Sequence, residues 1–176
     1  MELKTFVLAN PADKQARHAL VNEAVKRYYG DNAAVEYSPK GVPSIVGTEA
    51  QKYISITTCG EVMLCVVSSV QIGIDGEYLP RFKQSKLDTM AVAERFFSED
   101  EAEFVRRGDG DMMRFVKVWT RKEAFVKYNA TGVSDFPNFS VCDGDKFLGK
   151  VNGVSIKKFT IKFDGSEDYI FAIAGV

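Results

Sequence analysis

Asp75 and Glu77, in the segment VQIGIDGEYL, are the first candidates for chemistry in this 176-residue chain. The flanking Ile and Val mark a strand, where residues i and i+2 share a face, so both acids address one spot. Two unit charges a few ångström apart repel by roughly 4 kcal/mol at the effective dielectric near a protein surface. A hard divalent cation between them reverses the sign of that energy. Such oxygen donors suit Mg²⁺, which takes one or two carboxylates and fills its shell with water and substrate phosphates. Gly76 between the acids leaves room for a ligand near the backbone. By itself the spacing is shared with many solvent-facing strand ends.

A second set lies in WTRKEAFVK, residues 119–127. Glu123 and Lys127 stand four apart on one helix face, with Lys122 beside them. The plain alternative is an exposed i,i+4 ion pair, which contributes about 0.3–0.5 kcal/mol. The sharper reading makes Glu123 a third metal ligand or a base, and the lysines point charges that hold phosphate. Three carboxylates around one divalent ion leave net negative charge, which Lys122 and Lys127 offset.

These groups need a framework. Residues 3–8 read as a strand and 12–29 as a helix with Ala16, Leu20, Ala24 and Tyr28 at every fourth position, closed by Gly30. Three β-like runs follow, 52–58, 62–68 and 70–77, in the pattern of a small meander. A helical stretch starts near Leu87, and Ser98 with Glu101 forms a capping box for a helix running to about Arg107. Helical spacing returns over 111–127, followed by strands near 139–142, 159–163 and 169–173. No long linker separates the two sets, which predicts an interlocked α+β chain of two similar lobes, residues 1–70 and 71–176.

Composition narrows the classes further. At 45% hydrophobic and 27% charged the chain is an ordinary globular one. Its 23 basic and 24 acidic residues leave no basic footprint for nucleic acid. The N-terminal apolar run, residues 6–9, is far shorter than a signal sequence or membrane span, so a cytoplasmic protein without membrane contact is expected. Cys59, Cys65 and Cys142 are odd in number and lack CxxC spacing; they read as small buried hydrophobes.

Taken together, GIDGE at 73–77, RFFSEDE at 95–101 and WTRKEAFVK at 119–127 resemble the Sfp-type 4'-phosphopantetheinyl transferases of the holo-carrier-protein synthase superfamily. GVPSI at 41–45, ISITTCG at 54–60 and TGVSDFPNFSV at 131–141 resemble further segments of that family. The resemblance implies two lobes related by a pseudo-two-fold axis and meeting around the coenzyme A pyrophosphate. It implies a monomeric Mg²⁺-dependent enzyme that moves phosphopantetheine from coenzyme A to a serine of an acyl- or peptidyl-carrier protein. It casts Asp75, Glu77 and Glu123 as metal ligands, Glu123 also as the base, and Lys122 and Lys127 as phosphate contacts. It places Arg17, Lys40, Thr57 and Thr58 toward the coenzyme, with His18 nearby, and offers Phe82, Phe96 and Phe97 as an exposed dock for the carrier protein.

The chain also departs from the family. Thr58 stands at the family's histidine and Val42 at its lysine, while the N-terminal lobe is shortened. Those losses motivate a rival of another class, a non-catalytic carrier-protein or coenzyme A binding homologue. An unrelated Mg²⁺-dependent phosphotransferase or hydrolase would need a phosphate-cradling glycine loop, and no such motif is present.

Overall fold

The computed structural model describes all 176 residues, and they divide into two compact units, Met1–Ile72 and Gly73–Val176. In the first, β1 (Leu3–Ala9) leads to α1 (Lys14–Tyr29), then to the strands β2 (Ala34–Tyr37), β3 (Pro43–Val46), β4 (Tyr53–Cys59) and β5 (Val62–Ser68). The last two form a hairpin with β1 on its far side, giving an antiparallel sheet of order β1-β5-β4. Central β5 is a run of Val, Met, Leu and Cys buried on both faces, the continuous apolar pattern of a strand covered on each side of the sheet.

Helix α1 begins where the Asp13 carboxylate accepts the N–H of Ala16 at 2.6 Å, and it stops at Gly30, whose φ of +97° lies in the region open to glycine. Its buried side carries Val21 and Val25, packed with Ile54, Met63 and Val67. The expected every-fourth-residue stripe drifts by about 40° per step around the helix, so Tyr28 at its end is 49% exposed.

The second unit opens with β6 (Gly73–Tyr78) and four helices, α2 (Leu79–Gln84), α3 (Thr89–Phe96), α4 (Glu99–Arg106) and α5 (Met112–Asn129). After a 3-10 turn at Val133–Asn138 come the short strands β7 (Cys142–Asp143), β8 (Lys146–Phe147) and β9 (Lys150–Val151), then β10 (Val154–Phe159) and β11 (Tyr169–Ala174). The main sheet is antiparallel, of order β6-β11-β10-β9, and α5 packs across it. Helices and antiparallel strands are thus segregated, and the fold class is α+β as the sequence predicts.

Several expectations shift. The run at 70–77 does not finish a meander: β5 already has partners on both edges, and β6 pairs instead with β11. The strand expected at 159–163 lies earlier, because Asn152 and Gly153, with φ of +49° and +84°, make the tight Asn-Gly turn that pairs β9 with β10. Phe82 and Phe97 are not an exposed dock. They are 8% and 5% exposed and lie against Phe115, in a cluster with Trp119 and Phe136, since aromatic area is worth most inside. The three cysteines are buried, as expected of small hydrophobes.

Candidate active site

The site in the second unit is assembled from β6 and α5. Asp75 pairs across the sheet with Ala172 and Glu77 with Ile170, and those two partners belong to the core packed by α5. The two acids therefore share the helix-facing side of the sheet, where they are 6% and 9% exposed. Their approach to α5 depends on Gly73: a Cβ there would stand 2.1 Å from the Ala124 carbonyl oxygen and 2.5 Å from the Tyr128 nitrogen. Gly73 thus admits the helix backbone on the face of β6 that carries Asp75 and Glu77.

From α5, Lys127 reaches down and donates to Asp75 Oδ1 at 2.7 Å, with its side chain still 31% exposed. Burial first, and then the charge of Asp75, pushes the Glu77 carboxyl up to about 7; Arg81, 3.8 Å away, pulls the other way and Glu123 adds to the rise. Glu123 is likewise raised, by burial and then by Asp75. Burial opposes the charge on Lys127, yet Asp75, Glu123 and Glu77 together outweigh it and hold its ammonium above the ordinary lysine range. Three carboxylates are therefore electrostatically coupled around one ammonium group. No three His, Cys, Asp or Glu side chains stand in a ready-made metal-holding group. The donor chemistry nonetheless fits Mg²⁺, being all oxygen and carrying more negative charge than Lys127 neutralises.

Lys122 requires a correction. Expected beside phosphate, it is wholly enclosed, donating to Glu101 Oε2 and to the Phe139 carbonyl, each at 2.6 Å, with its ammonium 4.0 Å from the Phe139 ring centroid. Glu101 is fully buried too and accepts the N–H groups of Ser98 at 2.9 Å and Val141 at 2.7 Å. On α5 Lys122 points away from Glu123, because neighbouring helix residues diverge by about 100°. The capping box supplied one sign of this: Glu101 closes it as anticipated, but its link to Lys122 spans 21 residues and has no local signature.

In the first unit, Arg17, His18 and Thr58 line one cleft of about 210 Å³ with Lys14, Tyr37 and Gly41. The His18 ring stacks on Tyr37 with centroids 3.7 Å apart and planes 8° from parallel. Arg17 Nη1 donates to the carbonyls of Pro11 and Ala12, which fixes the guanidinium at the start of α1. Lys40 is exposed next to Gly41 and does not line the cleft, and Thr57 is buried on the opposite face of β4 from Thr58. Lys14 and Tyr37 were not singled out from sequence. Lys14 is three residues before Arg17, a helical spacing that could have drawn attention to it.

Comparison with known proteins agrees with this geometry. The sequence pattern of the 4'-phosphopantetheinyl transferase superfamily matches residues 71–174, which include β6 and α5. A 4'-phosphopantetheinyl transferase of Bacillus subtilis is 28% identical over 166 residues, 88% of this chain and 69% of that protein. The 4'-phosphopantetheinyl transferase Sfp of Bacillus subtilis (strain 168) is 30% identical over 128 residues, 69% of this chain and 54% of that protein. With the match covering more than half its length and the acidic strand and helix folded against each other, this chain belongs to the 4'-phosphopantetheinyl transferase superfamily and is a transferase of that kind.

Proposed function

We propose that the chain transfers the 4'-phosphopantetheine group of coenzyme A to a serine hydroxyl of an acyl- or peptidyl-carrier protein, with Mg²⁺ held by Asp75, Glu77 and Glu123. The observation that carries this reading is the coupling of those three carboxylates around Lys127, at the positions the family pattern covers. When bound, Mg²⁺ supplies positive charge to the diphosphate and offsets the mutual repulsion of its carboxylate ligands.

The chain's own groups have distinct tasks. Glu123, its carboxyl raised by burial and by Asp75, accepts the proton of the incoming serine hydroxyl. The serine oxygen forms the new bond to the β-phosphorus while the bond from that phosphorus to the bridging oxygen breaks. The electron pair leaves on 3',5'-adenosine bisphosphate. Lys127, partly exposed, holds positive charge beside the diphosphate through the step. In the first unit, the cleft of Lys14, Arg17, His18 and Thr58 contains cations and a hydroxyl but no acid, which suits a phosphate group of the coenzyme. The three cysteines, odd in number and buried, accord with a reducing cytoplasm as the place of action.

The test is to mix the chain with Mg²⁺, coenzyme A and apo carrier protein and to follow the carrier's mass. A gain of one phosphopantetheine supports the reading, and Glu123→Gln, isosteric but uncharged, abolishes that gain while the fold persists. Transfer by Glu123→Gln at the parent rate would remove Glu123 from its role. Carrier binding without any mass gain would favour the non-catalytic alternative motivated by Thr58 and Val42.

A further inference from the structure

The second unit holds a cleft set apart from the proposed metal and phosphate residues. Its volume is about 460 Å³, within the range of small-molecule sites, and none of Asp75, Glu77, Glu123 or Lys127 lines it. It runs along the flank of α5, where Met113, Lys117 and Arg121 recur every fourth residue, and it is closed by β10, β11 and the chain between them. Its floor is apolar, with Leu79, Ile170 and Phe171 among the residues beneath. Four cations surround that floor, Lys117, Arg121, Lys158 and Lys162, against a single lining carboxylate, Glu167. None of the four cations forms an ion pair within 4 Å.

Arg121 is the telling member. Its guanidinium lies over the Phe147 ring at 3.8 Å, and Nη1 donates to the Lys117 carbonyl at 3.0 Å. Its Nε is buried with no hydrogen-bond partner. An arginine charge partly withdrawn from water is costly to leave unneutralised, and in a folded chain it ordinarily has a carboxylate or another anion near its guanidinium. Here nothing from the protein supplies one.

We infer that this cleft is a binding site for a small anionic amphiphile, a molecule with one carboxylate, sulfate or phosphate head and an alkyl or aryl body. The apolar body covers the floor and the head meets Arg121 and the surrounding lysines. Charge complementarity decides the class, since a cation or an uncharged body would leave the four positive groups unmatched.

The experiment uses the whole chain without coenzyme A or metal, so its result is independent of the transfer reaction. Decanoate, decyl sulfate and decyltrimethylammonium are titrated calorimetrically below their micellar concentrations, and the methyl signal of Met113 is followed by NMR. Saturable one-to-one binding of both anions, with a Met113 shift and at least about tenfold weaker binding of the cation, is the expected result. Arg121→Met, which keeps an apolar stem, lowers decanoate affinity about tenfold. Lys158→Gln with Lys162→Gln, two exposed positions where folding is not at stake, lowers it severalfold. Absence of saturable binding, equal affinity for the cation, or affinity unchanged in both variants overturns the inference. So does a Met113 shift produced by carrier protein alone, which would make the cleft a protein-docking surface.

Discussion

Replacing Lys122 by methionine separates the two roles this residue has been given. If its ammonium held phosphate, Lys122→Met would weaken coenzyme binding and leave stability nearly untouched. The structure demands the reverse. The side chain and that of Glu101 are both fully buried, joined at 2.6 Å, and the ammonium also satisfies the Phe139 carbonyl. After substitution Glu101 keeps two backbone donors, at Ser98 and Val141, but loses its only cation. Removing one partner of a buried ion pair costs about 3–5 kcal/mol. The buried methionine returns about 1.5–3 kcal/mol through its apolar area, which leaves a net loss of about 2 kcal/mol. For a chain of this length each kcal/mol moves the melting temperature by about 2–4 °C, so a fall of roughly 4–8 °C is expected. Urea unfolding followed by the fluorescence of Trp119, the single tryptophan and a neighbour of Phe97, reads the loss in the second unit. Adding Glu101→Gln should restore at least half of the deficit, because the uncompensated charge is then gone. An unchanged unfolding midpoint together with a tenfold loss of coenzyme A affinity would refute the reasoning and return Lys122 to the phosphate.

Glu77 has a carboxyl at about 7 in the fold against 4.5 as the ordinary value, so between those two pH values the folded chain binds more protons than the unfolded one, and metal-free stability falls as pH rises. Glu77→Gln should therefore stabilise the metal-free chain by about 2–3 kcal/mol at pH 8 and flatten that slope; a variant less stable than the parent at pH 8 would contradict this. For the same reason Mg²⁺ binding to the parent should weaken as pH drops below 7, which calorimetry in buffers of graded pH measures. Gly73→Ala should cost about 1–3 kcal/mol or more, since backbone rather than a mobile side chain meets the new methyl, and a stability within 1 kcal/mol of the parent would mean α5 stands further from β6. His18→Ala should lower affinity for coenzyme A by about two- to tenfold and leave affinity for dephospho-coenzyme A unchanged, reading the phosphate preference of the first unit's cleft; equal losses for both ligands would remove the phosphate from that cleft.

Much of this protein was determined by local rules. Strand alternation alone puts Asp75 and Glu77 on one side of β6, and helix periodicity puts Glu123 and Lys127 on one side of α5, so the acid-bearing face of each element follows from spacing. The Ser98 capping box and the stop at Gly30 are equally local. What tertiary structure decided was which faces meet. Gly73 lets α5 settle onto β6, and Lys127 thereby finds Asp75 across 52 residues of chain. The same packing turns Lys122 inward to Glu101, and it carries Phe82 and Phe97 from a supposed surface into the aromatic core. In a stretch such as RKEAFVK the two lysines look alike, since both are charged residues on one helix. Their fates diverge because a charge's role depends on the dielectric and partners around it, and those are supplied by residues distant in sequence.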